Sequence, residues 1–393
     1  MNEGRPPRIY LDNAATSYPK PESVLQAMTT YMQDNGAAFG RGSYADGDRA
    51  GQIVTECRQK MARLLAVSAA EIAFTFNCTD SLNLLLRGLL KPGDRVVTTA
   101  LEHNSVLRPL NQLQQELGLQ VHVTDFDPQS GLVNLDELQK ALTEPTRLVV
   151  VNHASNVTGV IQPIEQIATL AHDAGALTLL DAAQTTGHHD LNLTELPVDF
   201  LATAGHKGLL GPLGTGVVFV RGGREQLLTP IRCGGTGTQS ESPEQPRDLP
   251  GLFESGNLNM PGLAGLNAGL DWLLGQDRTQ LTASVQTCTT LLRSRLASLP
   301  GVRLLTCGES PGAGIVSFVI DGVDSREAAT ILDSSFGVQC RAGFHCAPLV
   351  HQRLQTAQHG GSLRLSPGVF TTTDEVSQAA DAVAQLCDAF SLS

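Results

Sequence analysis

Between residues 71 and 220 the sequence alternates between short apolar stretches and segments with helical spacing, and this alternation restricts the fold more than any other feature. Seven apolar stretches predict buried strands, at residues 72–76, 96–99, 121–124, 148–151, 177–180, 200–203 and 217–220. Strands that alternate with helices form a mostly parallel sheet covered on both faces. We therefore predict an α/β fold with a mostly parallel seven-stranded sheet.

The pattern changes after a segment rich in Gly, Ser, Pro and Gln at residues 234–250, which predicts a long loop. Beyond it, a helical segment leads into strands and helices that alternate less regularly. We predict two domains. Residues 15–260 form a large domain, and residues 1–14 and 261–393 form a small α+β domain.

Two local patterns give more specific predictions. Residues 36–51 are rich in glycine and predict a loop that carries Arg41 and Arg49, with a helix starting at about residue 52. Residues 338–341 predict a single strand in the small domain.

Composition excludes several classes of partner. The chain of 393 residues has a formal net charge of −12 and no cluster of Lys and Arg, which argues against binding to nucleic acid or an anionic membrane. No apolar run is long enough to span a bilayer, and none follows the N-terminus as a signal peptide would require.

The eight cysteines are scattered without a C-x-x-C pair, so we expect reduced thiols, a cytoplasmic protein and no metal site.

A lysine and an aspartate follow two of the predicted strands. Lys207 lies on a glycine-rich turn after residues 200–203, and Asp181 ends the apolar stretch 177–180. Ligands of open α/β sheets bind beyond the carboxyl ends of the strands. A lysine that can form a Schiff base and a carboxylate that can keep a pyridinium nitrogen protonated suit pyridoxal phosphate. The alternative for Lys207 alone is a solvated loop residue.

Three further polar residues follow strands of the same predicted sheet. Thr79 opens a helix, where N–H groups and the helix dipole favour an anion, although it could equally be part of an ordinary helix cap. His103 could stack on the cofactor ring or be a partly exposed histidine. Asn156 could donate to a ring hydroxyl or be a turn asparagine.

Two residues of the small domain add further chemistry. Cys346 lies on a loop between Gly343 and Pro348, with Arg341 and His345 close in sequence, and cations favour the nucleophilic thiolate. The alternative is an inert core cysteine. Arg364 lies within an apolar strand and requires a carboxylate, either that of a ligand or that of an internal ion pair.

Together and in this order, these segments resemble a cysteine desulfurase of the class V aminotransferase family, in the branch that contains SufS and the selenocysteine lyases. The similarity runs from Tyr10 to Pro367, and its best-matched segments are residues 102–105, 155–159, 181–184, 205–207 and 341–348. The short segment around Cys346 is more similar to this branch than to the branch with a longer cysteine loop. The resemblance implies the type I fold of pyridoxal phosphate-dependent transferases.

The resemblance implies a role for each matched residue. Lys207 would carry the internal aldimine, Cys346 would take the sulfur, and His103 would stack on the ring and help to move protons. The residues that would contact the cofactor are Lys207, Asp181 at the pyridine nitrogen, Gln184 and Asn156 at the ring oxygen, Thr79, Cys78 and His206 at the phosphate, and His103. The residues that would bind the substrate are Arg364, Asn13, Ala14 and Arg41.

The implied reaction converts L-cysteine to L-alanine and leaves a persulfide on Cys346, which passes to a sulfur-acceptor protein or a small thiol, as in sulfur mobilisation for iron–sulfur cluster assembly. A homodimer is implied as well, in which the loop at residues 234–257 reaches the partner's phosphate site. A selenocysteine lyase or a class V aminotransferase would use Lys207 and Arg364 equally well. From another class, a non-catalytic sulfur carrier or scaffold is the remaining alternative.

The chain departs from the family pattern around the phosphate. Asn77-Cys78-Thr79 stands where the family usually has Gly-Thr-Thr, and Ala204 stands where a serine usually precedes Gly-His-Lys. Asn257 follows Glu-Ser-Gly where a threonine is frequent. We expect Thr203 to be the substitute donor if the missing serine hydroxyl is replaced at all.

Overall fold

The computed structural model describes residues 7–40, 44–238, 241–305 and 312–391. Its strands are β1 Ile9–Tyr10, β2 Ile72–Thr75, β3 Arg95–Thr99, β4 Gln120–Thr124, β5 Leu148–Asn152, β6 Leu177–Asp181, β7 Phe200–Ala204, β8 Gly216–Val220, β9 Val302–Leu304, β10 Val316–Ile320, β11 Val338–Gln339, β12 Arg341–Gly343 and β13 Ser362–Leu365. Its α-helices are α1 Glu22–Thr30, α2 Ala45–Leu65, α3 Cys78–Leu89, α4 Asn104–Leu117, α5 Leu135–Ala141, α6 Ile164–Asp173, α7 Met260–Leu274, α8 Arg278–Ala297, α9 Ser325–Phe336, α10 Pro348–Arg353 and α11 Thr373–Ser391.

The predicted seven-stranded sheet is confirmed. Its strand order is β2-β8-β7-β6-β5-β3-β4, and all neighbours pair in parallel except β8, which runs antiparallel to both β2 and β7. The parallel strands therefore present their carboxyl ends at one edge of the sheet, where loops to the following helices begin.

Both faces of this sheet are buried, which explains the uninterrupted apolar runs. Along β5, Val149 and Val151 pack with residues of α2, α5, α6 and α7, whereas Leu148 and Val150 pack with residues of α3 and α4. Alternate side chains of a strand point to opposite faces, so a sheet covered on both sides needs apolar residues at every position.

The chain after α7 forms a second layer. The four-stranded sheet β12-β13-β10-β9 is antiparallel, and its core includes Leu292 of α8, Leu332 of α9 and Val383 of α11. The N-terminal β1 pairs in parallel with β11, so the first residues of the chain lie against the C-terminal part.

Two local predictions are wrong. Helix α2 begins at Ala45, not near residue 52, because Asp46 and Asp48 in its first turn suit the helix dipole and because Gly47 and Ala50 are buried. The strand predicted at residues 338–341 is divided at Cys340: β11 pairs with β1, and β12 pairs with β13. Arg41 lies outside the described residues.

Among the described residues, the helices are all too short or too polar to cross a lipid bilayer.

Candidate active site

A cavity of about 510 Å³ lies at the carboxyl edge of the large sheet, facing β12 and β13 of the small one. The predicted site residues that line it are Ala14, Cys78, Thr79, His103, Asn156, Asp181, Gln184, His206, Lys207 and Arg364. Asn13 and Cys346 are not among the lining residues. The sheet topology thus brings together side chains that are up to 350 positions apart, counting from Ala14 to Arg364 (364 − 14).

Lys207 lies on the turn that follows β7. Ser17 Oγ donates to the Lys207 carbonyl at 2.9 Å, and Leu210 N–H donates to the same oxygen at 2.9 Å. A Cβ atom on Gly208 would lie 2.3 Å from the Thr186 carbonyl oxygen, so only glycine fits beside the lysine. Burial lowers the pKa of the Lys207 ammonium group, and the Asp181 carboxylate opposes this shift.

Asp181, the last residue of β6, has an oriented carboxylate. Its Oδ1 accepts hydrogen bonds from Ala183 N–H at 3.0 Å and from the Cys78 thiol at 3.4 Å. Burial, followed by the Asp181 charge, raises the pKa of Cys78 well above its usual value, so the thiol is protonated and donates. Within the described residues both bonds end on Oδ1, which leaves Oδ2 of Asp181 for a ligand.

His103 has a defined protonation state. It is the N-cap of α4, and its Nδ1 accepts the Ser105 N–H at 3.0 Å. Burial lowers the pKa of His103 to about 4, with Asp181 opposing the shift. At neutral pH the imidazole is therefore neutral and carries its proton on Nε2.

The N-terminus of α3 forms one end of the cavity. Asn77 caps this helix by accepting Asp80 N–H at 2.9 Å, and Cys78 and Thr79 are its first two residues. The first N–H groups of a helix have no acceptor within it, so this end suits an anion. The hydroxyl of Thr203 donates to the Ala182 carbonyl at 3.3 Å and does not line the cavity, so it does not replace the missing serine hydroxyl.

The histidine and two amides named from the sequence also have defined partners. Burial lowers the pKa of His206 to about 4. Gln184 Nε2 donates to the Ala14 carbonyl at 3.1 Å. Asn13 donates through Nδ2 to the Ser366 carbonyl at 3.0 Å and accepts the Tyr18 N–H, so its side chain ties backbone segments together beside the cavity.

Arg364 confirms one of the two alternatives raised by the sequence, the internal ion pair. Its Nη2 donates to Asp12 Oδ1 at 2.8 Å, which forms an internal ion pair. Its Nη1 donates to the Asn156 carbonyl at 3.0 Å. Its Nε is buried and has no partner among the described residues. The Nε–H group therefore has no acceptor among the described residues.

Cys346 lies in a turn beside the cavity and is partly exposed. The neighbouring residues Arg341 and His345 line the cavity. The backbone φ angle of Cys346 is 58°, in the left-handed region.

Sequence reasoning missed two titratable groups near the cavity. Lys20 Nζ donates to the His206 carbonyl at 2.9 Å, and burial lowers the pKa of Lys20 to about 8. Burial raises the pKa of Glu102 to about 8, and this carboxyl group accepts from Thr99 Oγ1 at 2.8 Å and Asn152 N–H at 3.0 Å. The available signal for Glu102 was a carboxylate directly after an apolar strand.

Comparison with known proteins identifies close similarity over nearly the whole chain. The family model Aminotransferase class-V matches residues 9–379. The chain is 36% identical over 374 residues to a probable cysteine desulfurase of Methanothermobacter thermautotrophicus, covering 94% of this chain and 92% of the relative. It is 35% identical over 376 residues to a probable cysteine desulfurase of Pseudomonas aeruginosa, covering 93% and 90%.

Solved structures give the same result. The apo structure of a cysteine desulfurase from Thermococcus onnurineus superposes with a TM-score of 0.90 at 32% identity, covering 97% of this chain and 95% of that one. The cysteine desulfurase CsdA from Escherichia coli superposes with a TM-score of 0.86 at 29% identity, with the same coverage.

Proposed function

The chain belongs to the class V aminotransferase family, and we propose that it is a cysteine desulfurase, an enzyme that converts L-cysteine to L-alanine and transfers the sulfur to one of its own thiols. The observation that carries this proposal is the set of side chains around one cavity. Lys207, Asp181, His103 and Arg364 line it, and the turn that bears Cys346 lies beside it.

The cavity wall fits a polar, anionic cofactor. Five of its lining residues each have a buried side-chain atom without a hydrogen-bond partner among the described residues, namely Asn152 Oδ1, Asn156 Oδ1, His206 Nδ1, His345 Nδ1 and Arg364 Nε. Buried polar atoms are rarely left without partners. A ligand with its own polar groups would satisfy them, and the N-terminus of α3 would suit a phosphate.

Pyridoxal phosphate, when bound, supplies an aldehyde that joins an amine and a ring that delocalises electrons from the substrate Cα. Lys207 would hold it through the side-chain amine, and Asp181 Oδ2 would face its ring nitrogen. The other residues that would hold it are Thr79, Cys78 and His206 at the phosphate, Gln184 and Asn156 at the ring oxygen, and His103 over the ring.

Three residues bind the substrate or move its protons. Arg364 binds the carboxylate of L-cysteine through Nε and the second hydrogen of Nη2, while Asp12 keeps the guanidinium group in place. Lys207 Nζ accepts the Cα proton, because the lowered pKa increases the fraction of neutral amine. Neutral His103 presents its Nε2–H to the cavity and can exchange a proton there.

Cys346 takes the sulfur. Its thiolate attacks the substrate sulfur, a new S–S bond forms as the C–S bond of the substrate breaks, and the bonding pair stays with Cβ. Protonation of Cβ gives the methyl group of L-alanine, and Lys207 Nζ returns a proton to Cα. L-cysteine and the enzyme thiol yield L-alanine and an enzyme persulfide, so no external oxidant or reductant is needed. An acceptor thiol, on a protein or a small molecule, then takes the outer sulfur.

Release of L-alanine from L-cysteine tests this proposal. The protein loaded with pyridoxal phosphate is incubated with L-cysteine and a reducing thiol, and L-alanine is quantified for the wild type, Cys346→Ser and Cys233→Ser. The exposed Cys233 serves as the matched control. The wild type and Cys233→Ser should release alanine, and Cys346→Ser almost none. Alanine release by Cys346→Ser at the wild-type rate would contradict the role of Cys346.

The proposal extends to assembly and compartment. Symmetric dimers are the commonest assembly, and the described residues of the polar loop between Arg232 and Met260 form no helix or strand, which suits a segment that reaches a partner subunit. The reaction also needs Cys346 as a free thiol at the start of each cycle, and a reducing compartment such as the cytoplasm keeps thiols free.

A further inference from the structure

The turn that bears Cys346 has an unusual backbone. Ala347 N–H donates to the Phe344 carbonyl at 2.9 Å, which closes a four-residue turn. Its two central residues, His345 and Cys346, have φ angles of 47° and 58°. Left-handed angles at both central positions are normally adopted by Gly, Asn or Asp. A turn with other residues there persists only where its surroundings hold it.

The surroundings hold this turn through both central carbonyl groups. Asn104 N–H donates to the Cys346 carbonyl at 2.6 Å, and Asn156 Nδ2 donates to the His345 carbonyl at 2.6 Å. Both donors belong to loops or helices at the edge of the large sheet, whereas the turn follows β12 of the small sheet. The two hydrogen bonds therefore join the two layers of the fold at Cys346.

Two further contacts support the same turn. The His345 ring lies 3.0 Å from Ser362 Oγ through Nε2, inside the small sheet. Ala347, at the end of the turn, is buried in a small apolar cluster with Leu101 and Val157, which lie in the loops after β3 and β5 of the large sheet. The turn is thus fixed on both sides.

The Asn104 amide has a particular place in this arrangement. Asn104 is the first residue of α4, and His103 is the N-cap of that helix. The first N–H groups of a helix have no acceptor within it. The Asn104 N–H can therefore donate to the turn without removing a hydrogen bond from α4. Its hydrogen bond connects Asn104, the residue directly after His103, to the carbonyl group of Cys346.

We propose that the Asn104 amide and the Asn156 carboxamide are positioning groups that hold Cys346 in its left-handed turn and thereby fix the position of its thiol beside the cavity. The inference rests on the proposed function only in assigning the sulfur step to Cys346. The two hydrogen bonds that hold the turn can be tested without substrate.

Asn104→Pro removes the donor and leaves the helix intact. Proline is favoured at the first position of a helix, and the His103 angles of φ −72° and ψ 156° are those that a residue before proline adopts. Asn104→Ala is the matched control, because it removes the same side chain and keeps the N–H. Both variants are prepared with pyridoxal phosphate bound.

The first readout is the rate at which iodoacetamide alkylates Cys346, followed by mass spectrometry of its peptide. It should be about tenfold higher in Asn104→Pro than in Asn104→Ala, the scale set by loss of one buried hydrogen bond. Alanine release from L-cysteine should be about tenfold lower in Asn104→Pro than in Asn104→Ala, with the cofactor absorption spectrum the same in both. Equal alkylation rates in the two variants would overturn the proposal, whether or not the wild type releases alanine.

A wild-type measurement applies if Asn104→Pro does not fold. Residue-resolved hydrogen exchange should show slow exchange at the Asn104 amide, which as the first helical N–H would exchange freely without the Cys346 carbonyl. Exchange of this amide at the rate of an unprotected peptide would overturn the proposal.

Discussion

Replacement of Arg364 by lysine should weaken L-cysteine binding and leave the cofactor in place. Arg364 is fully buried and donates through Nη2 to Asp12 Oδ1 at 2.8 Å and through Nη1 to the Asn156 carbonyl at 3.0 Å. Lysine keeps the positive charge but has a single nitrogen. It can retain the ion pair with Asp12, but it cannot also provide a second parallel bond to a substrate carboxylate.

The expected changes in KM and in the free energy of unfolding follow from the hydrogen bonds that Arg364→Lys removes. A hydrogen bond to a charged group contributes about 1.5–3 kcal/mol, so losing one of two bonds to the carboxylate should raise KM for L-cysteine about 10- to 150-fold. The Asn156 carbonyl also loses its donor, which should lower the free energy of unfolding by about 1–3 kcal/mol.

Steady-state kinetics of alanine release, with urea unfolding in parallel, measure both effects. Arg221→Lys is the control, because Arg221 donates to the Val198, Leu193 and Leu196 carbonyls outside the cavity. It should lose stability without a change in KM. A KM for Arg364→Lys within the error of the wild type would refute the assignment and move carboxylate recognition to Arg341, which also lines the cavity.

Three further outcomes are expected. Borohydride reduction of the protein with bound pyridoxal phosphate, followed by peptide mapping, should label Lys207, and a label on another lysine would contradict the proposed attachment. Burial lowers the pKa of His153 to about 4, so the unfolded chain binds this proton more readily and the free energy of unfolding falls as the pH drops below about 6.5. Between about pH 6.5 and pH 4, His153 should lower the free energy of unfolding by about 3 kcal/mol. His153→Gln should lack this part of the pH dependence when the free energy of unfolding is measured by urea titration at each pH, and a pH dependence equal to that of the wild type would contradict the prediction. Light scattering should find a dimer, and an active monomer at the same concentration would refute the partner-subunit proposal.

The large sheet was predictable because its signal is local. Every buried strand needs apolar residues on both faces, and the polar residues that follow each strand meet at one edge, so Asp181 and Lys207 could be assigned to a common site from their positions alone. The start of α2 could not be found this way. Gly47 and Gly51 have low helix propensity and weaken the helical pattern in the sequence. In the structure, packing of α2 against α7 stabilises the helix despite these glycines.

Parts of the site depend on contacts between distant residues. The ion pair of Arg364 joins positions 12 and 364, and no local pattern identifies Asp12 as its partner. The left-handed turn at Cys346 was equally hidden, because its central residues are not Gly, Asn or Asp and its donor Asn104 comes from another layer of the fold. Division of the strand at Cys340 has the same cause, since two different sheets accept its halves.

Mass spectrometry of the Cys346 peptide tests the central claim most directly. The protein with bound pyridoxal phosphate is exposed briefly to L-cysteine without reductant, alkylated and digested. The peptide that contains His345, Cys346 and Ala347 should carry one added sulfur atom, and the peptides of the other cysteines should carry none. An unmodified Cys346 peptide in a sample that has released alanine would contradict the persulfide mechanism.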